Sequence, residues 1–152
     1  MSMKPMLKVI GMDNSEIDVA TIAAYRAAHY TVLSPEPFVM QVGEFSERLA
    51  RLMASNGKTC AAFITAWNPY SEIASLEANS TAQVALTSDL KGHGLIAIPG
   101  FGSDPEKLWP GEESLLVLGL ELQEAREIGI KYGQNAIVWV GQDVRPKLVL
   151  LR

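Results

Sequence analysis

A mixed α/β fold is predicted for this chain: a ferredoxin-like β-α-β-β-α-β core with a mostly antiparallel sheet, its second face covered by N-terminal helices. Three observations predict it. The second half carries strand and helix signals in that order. Two of its strands, Leu115-Leu116-Val117-Leu118 and Ile137-Val138-Trp139-Val140, are apolar at every position, as strands covered on both faces are. The first half holds two helical segments whose apolar stripes need a surface to pack against; a dimer packing sheet to sheet is the competing explanation for the covered face.

The elements follow from local signals. Residues 1 to 14, Met-rich and ending in Asp13-Asn14, have the weakest pattern. Ser15 with Asp18 approximates a capping box, and Ile17, Ala20, Ala24 and Ala28 recur at helical spacing, so a helix is expected over about 16 to 28. Tyr30 to Leu33 and Phe38 to Val42 read as strands around Ser34-Pro35-Glu36-Pro37, where two prolines permit a turn or a sheet edge. Ser46 caps a helix bearing Leu49, Leu52 and Met53 on one face, and Asn56-Gly57 ends it.

Cys60 to Ala66 is an apolar strand, Leu76 to Leu90 a helix capped by Ser75, Leu95 to Ile98 a strand and Leu115 to Leu118 another. Leu122 to Tyr132 is a helix ended by Gly133, and Ala136 to Val140 a strand. After Arg145-Pro146, Leu148 to Leu151 should return as a hairpin partner of that strand. Right-handed crossovers then set the first and third core strands side by side, with the fourth antiparallel to the first.

Composition bounds the function. The chain has 152 residues, 48 % hydrophobic and 20 % charged, enough for one domain with a real core and too apolar for wholesale disorder. No linker or repeat divides it, so 1 to 152 is read as one domain. With 13 basic against 17 acidic side chains and a net charge of -4, a broad phosphate-binding surface is disfavoured, which argues against nucleic acid as a partner. No apolar run reaches the ~18 residues of a membrane helix, and the start lacks a signal-peptide stretch. The lone Cys60 excludes an intrachain disulfide framework and fits a reducing, cytoplasmic setting.

Three clusters could carry chemistry. Thr65-Ala66-Trp67-Asn68-Pro69-Tyr70-Ser71 stands at the carboxyl end of a core strand, with Asn68 expected to be extended because proline follows. Asn79 and Gln83 share a stripe with Leu76, Leu86 and Leu90. An unsatisfied buried amide costs roughly 1–3 kcal/mol, so these two need partners, either loop backbone or a ligand. Tyr132-Gly133-Gln134-Asn135 precedes a strand antiparallel to the one ending at Ala66, so Gln134 and Asn135 should face Trp67 and Asn68.

The third cluster is the long loop from Pro99 to Glu113 with Gly100, Gly102, Trp109 and Glu112-Glu113, a length typical of lids or binding loops. Adjacent glutamates entering a strand point to opposite faces, so only one can serve a site. Glu113 is taken as the candidate acid/base, although this loop is expected at the opposite end of the sheet from Asn68.

Other chemistries lack their motifs. His29 and His93 have no ligands at metal spacing, and His93 reads as part of a turn; no metal is expected. There is no G-x-G-x-x-G, P-loop or G-x-S-x-G, so no cofactor is expected. Cys60 reads as a small core residue rather than a nucleophile.

In order and spacing, Ala24-Tyr25 with Tyr30, Ile64-Thr65-Ala66-Trp67-Asn68-Pro69, Asn79, Glu112-Glu113-Ser114 and Gly133-Gln134-Asn135-Ala136-Ile137 resemble a bacterial domain-of-unknown-function family, number 3293. The resemblance spans about residues 20 to 142. It implies a bacterial, single-domain, cytosolic protein and supplies no reaction.

These readings converge on a site for a small polar planar or nucleotide-type ligand, built from Trp67, Asn68, Asn79, Gln134 and Asn135. Amides read hydrogen-bonding edges and Trp67 offers a stacking face. Turnover is left open, as is the choice between monomer and homodimer. The alternative is a noncatalytic interaction or accessory domain, in which the amides hold loops and the Trp109 loop meets a partner.

Overall fold

A computed structural model of the chain describes residues 15–91, 94–107 and 109–152; the expectations for 1 to 14 and for His93 lie outside the described residues. Among the described residues, four α-helices, a short 3-10 turn at Pro69–Ser71 and a seven-stranded antiparallel sheet make up the mixed α/β fold. Helix α1 spans Val19–Ala27. It starts later than the sequence pattern suggests, because Asp18 is the cap and accepts from the Thr21 amide at 2.7 Å, while Ser15 Oγ accepts only from the Ile17 amide. Strands β1, His29–Val32, and β2, Phe38–Met40, form a hairpin around the Ser34-Pro35 turn. Helix α2, Glu47–Ser55, is capped by Ser46 and buries Leu49 and Met53.

Strand β3, Ala61–Ile64, is buried along its whole length. Helix α3, Leu76–Leu90, begins on the Ser75 cap as expected. The stripe it buries is Asn79, Gln83, Leu86 and Leu90, while Leu76 is exposed. Strand β4 runs Ile96–Ser103 and β5 Glu112–Leu118, so most of the loop expected over 99 to 113 is hairpin, and the connection is only 104–111. Pro99 hides this strand from a breaker-based reading. It pairs with Leu115, and its carbonyl accepts from the Leu33 amide just beyond the end of β1, so its missing N–H costs only a terminal rung. Helix α4, Leu122–Lys131, precedes β6, Ala136–Val140, which pairs in a hairpin with β7, Lys147–Leu150.

The strand order is β2-β1-β4-β5-β3-β6-β7. Alternate residues of the central strands enter two apolar clusters. Phe63, Ile98, Leu116, Leu118 and Val138 pack with Ile22 of α1 and with Leu49 and Met53 of α2. Ala62, Ile64, Leu115, Val117 and Ile137 pack with Leu86 and Leu90 of α3 and Ala125 of α4. The chain's own helices therefore cover both faces, and the doubly apolar strands need no second copy to bury them.

One strand position is set by close approach. A Cβ on Gly100 would lie 2.7 Å from Phe63 Cε2 and 3.0 Å from the Thr31 carbonyl, whereas one on Gly102 would meet only Ser114 Oγ, at 3.9 Å. Gly100→Ala should destabilise the fold by about 1–3 kcal/mol through overpacking. Gly102→Ala should stay within about 0.5 kcal/mol of the parent. Urea unfolding of the two variants beside the parent checks the pair.

Candidate functional site

Strands β3 and β4 both run antiparallel to β5, hence parallel to each other. The carboxyl end of β3, the β4–β5 connection and the start of β6 consequently meet at one edge of the sheet. This corrects the expectation that the Glu112-Glu113 segment stands at the far end from Asn68: Asn68 Nδ2 donates to Glu112 Oε2 at 3.3 Å. The crossover through α3 returns the chain in the same direction as β3, so the next hairpin turns at the same edge.

The turn after β3 departs from expectation at Asn68. With φ 45 and ψ 68 it is left-handed, not extended. The following proline disfavours the right-handed helical region, and asparagine is among the few residues that tolerate the left-handed one. Tyr70 and Ser71, at φ 57 and 61, are left-handed as well. Amides hold this strained segment. Asn79 Oδ1 accepts from the Asn68 amide at 2.8 Å, and Asn68 Oδ1 accepts from Asn79 Nδ2 and from the Ala74 amide, each at 2.9 Å. Gln83 Oε1 accepts from the Ala66 amide at 3.0 Å. From the α4–β6 corner, the Gly133 carbonyl accepts from the Tyr70 amide at 2.7 Å, and Gln134 Nε2 donates to the Trp67 carbonyl at 3.2 Å.

Asn135 reaches Ser71 and Tyr25 rather than Asn68. Its Nδ2 donates to Ser71 Oγ at 3.0 Å and to the Tyr25 hydroxyl at 3.1 Å, and its Oδ1 accepts from Arg152 at 2.9 Å. Arg152 also lies over the Tyr70 ring. Among the described residues no buried side-chain nitrogen or oxygen lacks a partner. The amides at Asn79 and Gln83 are thus accounted for by loop backbone and neighbouring side chains.

Beside this frame, between α1 and the sheet, lies a cavity of about 500 Å³. Trp67, Asn68 and Gln134 line it; Asn79 and Asn135 do not, and stand behind the wall. Its roof is Ala20 and Ala24 of α1 with Ala28 just past the end of the helix, small side chains that leave the space unfilled. Its floor includes Gly102, which the ladder sets between Tyr30 and Glu112. Phe63, Trp109 and Ser114 complete this side.

Of the two glutamates, Glu112 faces the cavity and Glu113, the one singled out from the sequence, is exposed. The alternation that separates them also decides between them: Glu112 shares a face with Ser114 and Leu116, the face that α1 covers. What remains of Glu113's role is structural, its carbonyl accepting from Thr65 Oγ1 at 2.5 Å. Burial pushes the Glu112 carboxyl up to about 7, against the lowering effect of the Asn68 hydrogen bond. Tyr30, whose hydroxyl donates to the Tyr25 carbonyl at 2.5 Å, is driven well above the ordinary phenol range, mainly by burial. The Cys60 thiol is pushed up to about 11 by burial first and the Glu121 carboxylate second, which keeps it protonated and unreactive. Among the described residues no group of three or more potential ligands could hold a metal.

A carboxyl poised near neutrality in an aromatic cavity can exchange a proton with a bound molecule or receive its hydrogen bonds. Ser71 stood in the first cluster read from the sequence, whereas Tyr25 and Tyr30, which also line the cavity, were visible only through the family resemblance. Residues 64–137 match the family model described as "Protein of unknown function (DUF3293)", a narrower span than the resemblance read from the sequence. No curated protein and no solved structure matches the chain. No helix among the described residues is long and apolar enough to cross a membrane.

Because the Glu112 carboxyl is raised from the ordinary 4.5 to about 7, the folded chain holds a proton that the unfolded chain has already released. Its contribution to stability is full below about 4.5, is lost as pH rises to about 7, and stays lost above. Glu112→Gln should therefore be more stable than the parent at about pH 8, with the difference narrowing toward pH 4. Denaturant unfolding at the two pH values measures it.

Proposed function

We propose that the chain binds a small polar planar molecule, or the base of a nucleotide-type ligand, in the cavity between α1 and the sheet. The observation that carries this reading is the cavity itself. At about 500 Å³ it falls within the ~300–1,000 Å³ of small-molecule sites, and like them it sets a few polar groups among mostly apolar walls. Trp67 and Trp109 supply ring faces. Asn68, Gln134 and Glu112 supply hydrogen-bonding groups at one end, with Asn79 and Asn135 holding that end in shape. The central order β4-β5-β3-β6 supports reading these strands as a ferredoxin-like core extended on both sides. The lone, buried Cys60 supports a cytoplasmic setting.

The reading of the chain as a noncatalytic accessory domain is favoured by a different observation. Leu76 and Val84, both on α3 and away from the cavity lining, are 71 % and 70 % exposed. Trp109 does not serve that reading, since it lines the cavity.

A thermal-stability screen against nucleobases, nucleosides, amino acids and small amines separates the two. A true ligand at about 100 times its dissociation constant should add about 2.7 kcal/mol, a rise of several degrees at this size. Ala24→Phe, which fills the cavity from the roof, should fold and lose that rise. A uniformly flat screen would leave the accessory reading standing.

A further inference from the structure

The charges on the cavity wall are of one sign. Its lining includes two carboxylates, Glu112 and Asp18, and, among the described residues, no lysine, arginine or histidine. Asp18 sits at the N-terminus of α1, where hydrogen bonds from the Thr21 amide hold its carboxyl below the ordinary range. It stays ionised at the mouth of the cavity. Glu112 lies deeper; one oxygen accepts from Asn68 Nδ2, and the other has no hydrogen-bond partner among the described residues. Five rings, Trp67, Trp109, Tyr25, Tyr30 and Phe63, complete the wall, and aromatic faces attract cations.

From this arrangement we infer that the ligand is a planar organic cation carrying N–H donors, of the amidinium, guanidinium or aryl-ammonium class, with its charged edge on Glu112 and its body against the rings. The inference rests on reading the cavity as a ligand site. It disfavours a phosphate-bearing ligand, because two carboxylates would repel one and no cation among the described residues lines the cavity to meet it.

The other elements around Glu112 do not compete for its charge. β1 presents Tyr30, kept protonated by burial. α1 presents Tyr25 and Asp18, the turn after β3 presents Thr65 and Asn68, and the α4–β6 corner presents Gln134. A bound cation replaces the water that burial removes from the carboxylate and favours its ionised form. Since that form is nearly full at pH 8 and falls to about a tenth at pH 6 for a carboxyl at about 7, cation affinity should fall about tenfold from pH 8 to pH 6.

Three probes of one shape and different charge test this: benzamidinium, benzamide and benzoate, titrated calorimetrically into the full chain at pH 6 and pH 8. The expected result is that benzamidinium binds at least tenfold more tightly than benzamide at pH 8, that benzoate does not bind, and that benzamidinium alone loses affinity at pH 6. Glu112→Gln should weaken benzamidinium at least tenfold at pH 8 and remove its pH dependence, with circular dichroism confirming the fold. Ala24→Phe, which keeps the carboxylate, should also abolish binding. Benzamide or benzoate binding as tightly as benzamidinium would overturn the cation assignment and leave the ligand site in place. If none of the three binds, the assignment also falls, and the stability screen decides the site separately: a hit there keeps it, a flat screen removes both.

Discussion

Everything at the candidate site depends on β3 pairing antiparallel with β5 on one side and β6 on the other. That double pairing gathers the end of β3 and the starts of β5 and β6 at one edge. Residues 68, 112 and 134 thereby become neighbours although the chain between them is long. Each pairing is anchored by residues buried on both faces, so a slip of one position would exchange the two apolar clusters and carry Glu112 to the other side.

The gathered edge has a cost. Three non-glycine residues within four positions adopt left-handed backbone, a conformation worth about 1–3 kcal/mol of strain each. The reciprocal bonds between Asn68 and Asn79, and the tie from Tyr70 to Gly133, hold them there. Segments of this kind persist where the surroundings over-determine them, and here the surroundings form one wall of a cavity. The amides therefore work mainly as a frame, and the group left facing the interior is a carboxyl.

Much of this architecture was legible from residues alone. Ser75 and Ser46 marked helix starts because their side chains satisfy otherwise orphaned amides, a local effect that needs no tertiary knowledge. The β6–β7 hairpin was equally legible, and antiparallel order predicted that Gln134 would reach Trp67. The failures were tertiary. Pro99 reads as a breaker unless it is known that β1 ends beside it, and Asn68 reads as extended unless Asn79 and Glu112 are known to hold its amide. Choosing Glu112 over Glu113 required knowing which sheet face keeps a hollow, and no periodicity states that. The alanines at 20, 24 and 28 were read as a stripe for the core, and their spacing gave no sign that the space beneath them would stay open.

That stripe separates two properties which usually change together. The polar wall, with Trp67, Asn68, Glu112 and Gln134, falls inside the segment that matches the family model, and α1 falls outside it. Within Val19–Ala27 only Ile22 is buried, while Ala20 and Ala24 are not, so the helix can exchange Ala24 for a larger residue with little disturbance to packing elsewhere. The depth of the chamber is thus set by a helix apart from the polar wall, so a change of side-chain size on α1 alters the volume and leaves the carboxyl and amides beneath it in place.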